Sequence, residues 1–183
     1  MKRISGLLLL MVLVVSAPAL AGIGDQNGEI GFNYGSTQLD SDTGFDSATS
    51  LALRGGYFLN QSFEIEGQIA SSSEDAQIAG NDADGTFRMY MVNGLYNFQT
   101  PKEITPYVMA GIGMADTEVK VAGVSNTDNS TAYQVGAGSR FFFGKKKTTA
   151  FRVDLSMIQE TTFDETSTHK NVSAGFSWKL GNR

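Results

Sequence analysis

Cysteine is absent from this chain, which excludes a disulfide framework, thiolate metal sites and a cysteine nucleophile. A lipoprotein anchored through an acylated cysteine is excluded for the same reason. His169 is the single histidine, so a multi-histidine metal centre cannot be built. Proline occurs three times, at Pro18, Pro101 and Pro106, too rarely for a proline-rich disordered chain. No apolar run reaches the ~18 residues that a membrane-spanning helix requires. Bases are outnumbered, with 14 Lys and Arg against 19 Asp and Glu, so there is no general cationic footprint for nucleic acid. Glycine is what abounds, 21 of 183 residues, above the usual ~7%.

The N-terminus reads as an address. Lys2 and Arg3 precede a short apolar run, Leu7 to Val15, and then Ala19-Leu20-Ala21. A basic start, an apolar centre and an Ala-x-Ala site together make a secretory signal peptide. Residues 1–21 are therefore expected to be removed, leaving a single domain over 22–183. Without Lys2 and Arg3 the chain keeps 12 bases against 19 acids.

Beyond that segment one pattern recurs: alternation with period two, the mark of a strand with unlike faces. It predicts strands over roughly 28–38, 48–59, 62–71, 86–98, 105–116, 131–143, 148–159 and 169–180. In the last, Val172, Ala174, Phe176, Trp178 and Leu180 oppose Ser173, Gly175, Ser177 and Lys179. The fourth is mixed, because Met91 and Leu95 share a face with Asn93 and Asn97. Short links at Asn60-Gln61, Gln99–Glu103 and Gly144–Lys147 alternate with long polar ones near 39–47, 72–85, 117–130 and 160–168. The expected fold is all-β, an eight-stranded antiparallel up-and-down barrel.

The faces decide between water and membrane. A soluble barrel would carry abundant Lys and Glu on its polar face. Here that face holds Gly31, Gly35, Gly56, Gly111, Gly113, Gly136, Gly138 and Gly175 among small polar residues. Its charges are Glu29, Glu64, Glu66 and Asp154 with Arg54, Arg140, Arg152 and Lys179. Balanced charges among small residues suit a crowded interior, where ions must be paired. The apolar face then meets lipid, as a transmembrane barrel requires.

Two asymmetries agree. Aromatics gather toward the short links: Phe32, Tyr57, Phe58, Phe63, Tyr96, Phe98, Tyr107, Phe141, Phe142, Phe143, Phe151, Phe176 and Trp178. That is the placement of an interfacial girdle. The short-link end also carries Lys102, Lys145, Lys146, Lys147 and Arg183 against Glu103. The opposite end carries Asp40, Asp42, Asp46, Glu74, Asp75, Asp82, Asp84, Asp116, Glu118, Asp128, Glu160, Asp164 and Glu165.

Two motifs then carry a family resemblance. Pro106-Tyr107-Val108-Met109-Ala110-Gly111-Ile112-Gly113 resembles a strand of the outer-membrane β-barrel domain family, the eight-stranded group of OmpA-like and opacity-type barrels. Ser173, Gly175, Trp178 and Leu180 resemble the terminal signal read by the barrel-assembly machinery. The resemblance covers nearly all of 22–183 and implies the outer membrane of a Gram-negative cell. It also implies contact with outer-membrane lipid and lipopolysaccharide, and engagement by the assembly machinery during biogenesis.

Catalytic and metal signals are weak. Small outer-membrane lipid A deacylases use a His-x-Ser pair, whereas here His169 is followed by Lys170 and Asn171. Ser173 lies four strand residues on, ~13 Å away, so His169 is expected to be a loop-edge histidine. Asp40-x-Asp42-x-Gly44-x-Asp46 and Asn81-Asp82-x-Asp84-Gly85 fit turns rather than a calcium loop, which would place glutamate where Leu51 stands. Lys145-Lys146-Lys147 suits a solvated turn or anionic headgroups. The expectation is a non-enzymatic, cofactor-free monomer. Its acidic loops serve envelope structure or adhesin-like contact with a surface partner, and its lumen is plugged. A narrow porin-like channel is the alternative, followed by a lipid A-modifying enzyme.

Overall fold

The computed structural model describes residues 28–38, 47–78, 81–101, 103–121, 124–145, 147–162 and 165–180. The expected signal segment, the Asp40–Asp46 stretch, Lys102, Lys146, Asp164 and Arg183 lie outside these residues. Eight strands follow in order: β1 (Gly28–Gln38), β2 (Ser47–Phe58), β3 (Phe63–Ile78), β4 (Asn81–Asn97), β5 (Ile104–Val121), β6 (Val124–Phe143), β7 (Thr149–Thr162) and β8 (Glu165–Leu180). Each pairs with the next, and the sheet closes on itself as a barrel. The seam is antiparallel, running from Gly28 opposite Leu180 to Gln38 opposite Lys170. Over the length where all eight ladders overlap, closure pairs each strand on both sides, which hydrocarbon demands.

Strand faces follow the alternation. Leu53, Ile65, Ile112, Val135, Leu155 and Val172 point outward and are 46–60% exposed. Inward positions are buried, including Glu29, Asn33, Arg54, Asn93 and Asp154. β4 resolves in favour of its inner face: Met89, Met91 and Leu95 are 1–2% exposed beside Asn93 and Asn97. The polar face is therefore not polar throughout. Phe87, Met89, Met91, Ala115, Ala132 and Ile158 pack together inside the long-link half of the barrel. An eight-stranded barrel is only wide enough to be filled by side chains, and methionine fills irregular gaps well.

Several boundaries differ from those the alternation predicts. β3 extends to Ile78 and β4 begins at Asn81, while β5 extends to Val121 and β6 begins at Val124. β7 and β8 likewise reach Thr162 and Glu165. The expected long links at 72–85, 117–130 and 160–168 are thus mostly continued ladder. Alternation fades there because beyond the membrane neither face meets lipid, while backbone hydrogen bonds still pair the strands. A crossing needs only ~9–11 residues per strand, so β5 and β6, at 18 and 20 residues, project well past it.

At the other end the turns are tight. Asn60 Oδ1 accepts from the backbone N–H groups of Ser62 and Phe63, both at 2.8 Å, which closes the β2–β3 link. Gly144 takes a φ of 82° in the β6–β7 link, a conformation open to glycine. The outward aromatics near this end meet one another across strands. Trp178 stacks on Phe32 at 5.9 Å over the β1–β8 seam, and Phe63 meets Tyr96 edge-on at 5.1 Å. Three of the expected girdle aromatics turn inward instead. Tyr107 is 1% exposed, and Phe58 and Phe142 lie against Lys179 inside the rim.

Candidate functional site

The lumen is where this chain concentrates its charge. β1 supplies Glu29, β2 Arg54, β3 Glu64 and Glu66, β6 Arg140, and β7 Arg152 and Asp154. Each occupies an inward position of an alternating strand, and all seven are at most 7% exposed. Two guanidinium groups form the centre. Arg140 binds Glu29 and Glu64 at 2.9 Å each and donates to Asn97 Oδ1 at 2.6 Å. Arg152 binds Glu66 at 2.5 Å and Asp154 at 3.0 Å. Arg54 completes the layer, 3.0 Å from Glu66 and 3.6 Å from Asp154. Asn33 donates to Asp154 at 2.6 Å.

Tyr107, expected in the outer girdle, belongs to this layer instead. Its ring sits between the two guanidinium groups, 4.7 Å from that of Arg140 and 4.8 Å from that of Arg152. Its hydroxyl donates to Asp154. Room for the ring comes from Gly138, its cross-strand partner, where a methyl group would collide with the phenol. The signal was available: Tyr107 shares the parity of Met109, Gly111 and Gly113, which also face inward. Lys179, the eighth expected charge, lies beyond the layer toward the short links. Its ammonium is 4.4 Å from the Phe142 ring and 5.2 Å from that of Phe58. The cation is thus held by aromatic faces at the rim.

Above this layer, toward the long links, is a cavity of about 20 Å³ lined by Asn33, Ser50, Arg54, Gln68, Gln134 and Phe87 among others. That volume suits one or two water molecules. Asn33 Oδ1, Gln134 Oε1 and Arg54 Nε are buried and have no partner among the described residues, so water there would complete their hydrogen bonding.

His169 is not a loop-edge residue. It is 3% exposed, faces the lumen from β8, and lies 5.4 Å from the Phe87 ring. Its Nε2 is 3.0 Å from Glu160 Oε1, while Ser130 Oγ donates to Glu160 Oε2 at 2.8 Å. β8 begins at Glu165 and not at 169, which carries the histidine inside the wall. The carboxylate stands between hydroxyl and imidazole, so the imidazole takes no proton from Ser130. Nucleophile activation needs those two groups in contact, and this trio instead braces β6, β7 and β8. Ser173 is occupied elsewhere, accepting from Asn33 at 3.3 Å. Of the terminal-signal residues, Ser173 and Gly175 face inward, while Trp178 and Leu180 are 38% and 48% exposed on the outer face. Asn81 and Asp82 open β4 as ladder residues opposite Ile78 and Gln77.

Solved structures share this architecture. Neisserial surface protein A superposes with a TM-score of 0.73 at 14% identity, covering 84% of this chain and 97% of that one. Ail, the attachment invasion locus protein of Yersinia pestis, gives 0.54 at 19%, covering 85% and 100%. The outer membrane enzyme PagL gives 0.50 at 14%, covering 83% and 99%. At such identities the likeness is one of fold. A search of curated proteins finds no match to the sequence. The model of the outer membrane protein beta-barrel domain matches residues 7–179. That match spans nearly the whole chain and agrees with its closed eight-stranded wall, and the chain belongs to the outer membrane protein β-barrel domain family.

Proposed function

We propose that this protein is a non-enzymatic barrel of the Gram-negative outer membrane, monomeric, with its projecting acidic end outside the cell. Its role is envelope-structural or adhesin-like contact made through that end. The observation that carries this reading is the filled lumen. Three arginines and four carboxylates span the barrel side by side, with Tyr107 wedged between them. A wall so plugged serves as a rigid post for what it displays. Export through the signal segment, capture of Ser173, Gly175, Trp178 and Leu180 by the assembly machinery, and seating among lipid and lipopolysaccharide belong to the same reading. A narrow channel is the second reading, favoured by the cavity above the ion layer; the cluster of Phe87, Met89 and Met91, that layer and the Lys179 rim then stand between the two ends.

Planar-bilayer recording of the refolded protein separates the two. The expected outcome is no steady conductance, with adhesion or envelope integrity lost when residues 117–130 are replaced by a short turn. A stable open current in the wild type would reject the plugged reading. Loss of acyl chains from lipid A in cells overproducing the protein would reject the non-enzymatic one.

A further inference from the structure

The wall of the barrel is interrupted toward the long links. β6 parts from β7 after the rung between Ala132 and Glu160. Its ladder with β5 nevertheless continues to Val121 opposite Val124. Residues 124–131 of β6 thus present a backbone edge that no strand occupies among the described residues. At ~3.3 Å per residue the edge is ~26 Å long. The same projecting sheet has a second edge, where β3 leaves β2 after Ser73 and runs to Ile78.

The two edges differ in how they are protected. Proteins ordinarily guard an open edge with charge, proline, a bulge or brevity. The β3 edge is short and begins Glu74-Asp75. The β6 edge reads Val-Ser-Asn-Thr-Asp-Asn-Ser-Thr over 124–131, without lysine or proline. Its rungs with β5 run in unbroken register from Ile104 opposite Phe141 to the end, so no bulge twists it away. Thr127, Asn129 and Thr131 are exposed along it. At its base the bonds from Ser130 and His169 to Glu160 hold the fork between β6 and β7 in place.

We propose that this edge is a docking site for an extended, cationic segment of a partner protein, which adds to β6 as a further strand. The proposal rests on the surface-contact reading above and names the partner class. Strand addition draws affinity from main-chain hydrogen bonds, and small side chains along 124–131 let another backbone approach. Charge selects the occupant. The projecting sheet, segments 74–88 and 116–131, carries Glu74, Asp75, Asp82, Asp84, Asp116, Glu118 and Asp128 against Arg88, which faces Asp116, and Lys120. A second copy would set this acidic sheet against itself, whereas a basic strand is drawn to it and held by it.

The test titrates the full-length mature protein, folded in zwitterionic nanodiscs, with a fluorescent peptide of about nine residues, the length of the edge, alternating lysine with threonine. Saturable binding is expected. Methylating alternate peptide nitrogens in one of the two phases should weaken it by about tenfold or more, and the opposite phase should leave it unchanged. Asn129→Lys should weaken it comparably while the protein keeps its heat-modifiable migration, the sign of a folded barrel. Equal binding by both methylated peptides would show charge attraction alone and overturn the proposal. So would no binding, or a dimer forming through Asn129→Cys without peptide. Adhesion by cells carrying the Asn129→Lys protein separates the failures: retained adhesion with no peptide binding sinks the edge alone, and no adhesion even by wild-type cells sinks the surface-contact reading.

Discussion

Arg152 holds Glu66 at 2.5 Å and Asp154 at 3.0 Å, and its guanidinium lies 4.8 Å from the Tyr107 ring. Removing such a cation leaves two carboxylates buried beside one remaining arginine. Breaking a buried pair costs about 3–5 kcal/mol when the survivor stays dry, and water from the cavity above lowers that figure. Arg152→Ala is therefore expected to lower the unfolding midpoint in detergent clearly. Glu103 and Lys147 pair at 3.3 Å but are 64% and 60% exposed, so Glu103→Gln should change stability by no more than about 0.5 kcal/mol. Urea titration followed by heat-modifiable migration compares the two variants, and equal shifts would mean the lumenal pairs carry no special weight. The members of this network were legible from parity and residue type. Their pairing was not, because cross-lumen neighbours such as Glu29 and Arg140 stand 111 residues apart.

At the scale of strands, alternation located all eight but ended several too early. Lipid on one side and a packed lumen on the other impose period two only inside the membrane. Beyond it the ladder from Ser73 opposite Thr86 to Ile78 opposite Asn81 needs only backbone pairing, and the sequence there carries turn-like polar residues that read as loop. The alternation of short and long connections still assigns the ends. Single cysteines at Ser41, Asn81, Ser125 and Thr166 are expected to react with an impermeant thiol reagent on whole cells, and one at Lys146 is not. The reverse pattern would turn the barrel over, moving the acidic sheet and its open edge to the periplasm.

For the whole molecule, closure is the central fact. The eight-membered ring sets the lumen width, and that width explains why glycine faces Tyr107 and why methionines fill the long-link half. Phe32, Phe176 and Trp178 lie together across the β1–β8 seam, so β8 is fastened to β1 on the outer face by aromatic contact. The segment ending Ala19-Leu20-Ala21 is expected to direct export and then be removed. Intact mass of protein from the outer-membrane fraction should lack residues 1–21, and recovery of the full-length mass there would reject cleavage at that site.

By itself the sequence determined the number of strands and the alternation of their faces, but not every charge inside, since Glu160 read as an end charge and is buried. The first two follow from local periodicity, since parity along a strand needs no knowledge of its neighbours. The tertiary structure alone decided what those residues touch. It placed Tyr107 between two arginines rather than in the girdle, drew His169 into the wall beside Glu160, lined half the lumen with Phe87, Met89 and Met91, and opened an edge on β6. Such contacts arise from register around a closed ring, which joins residues distant in sequence and has no period along the chain.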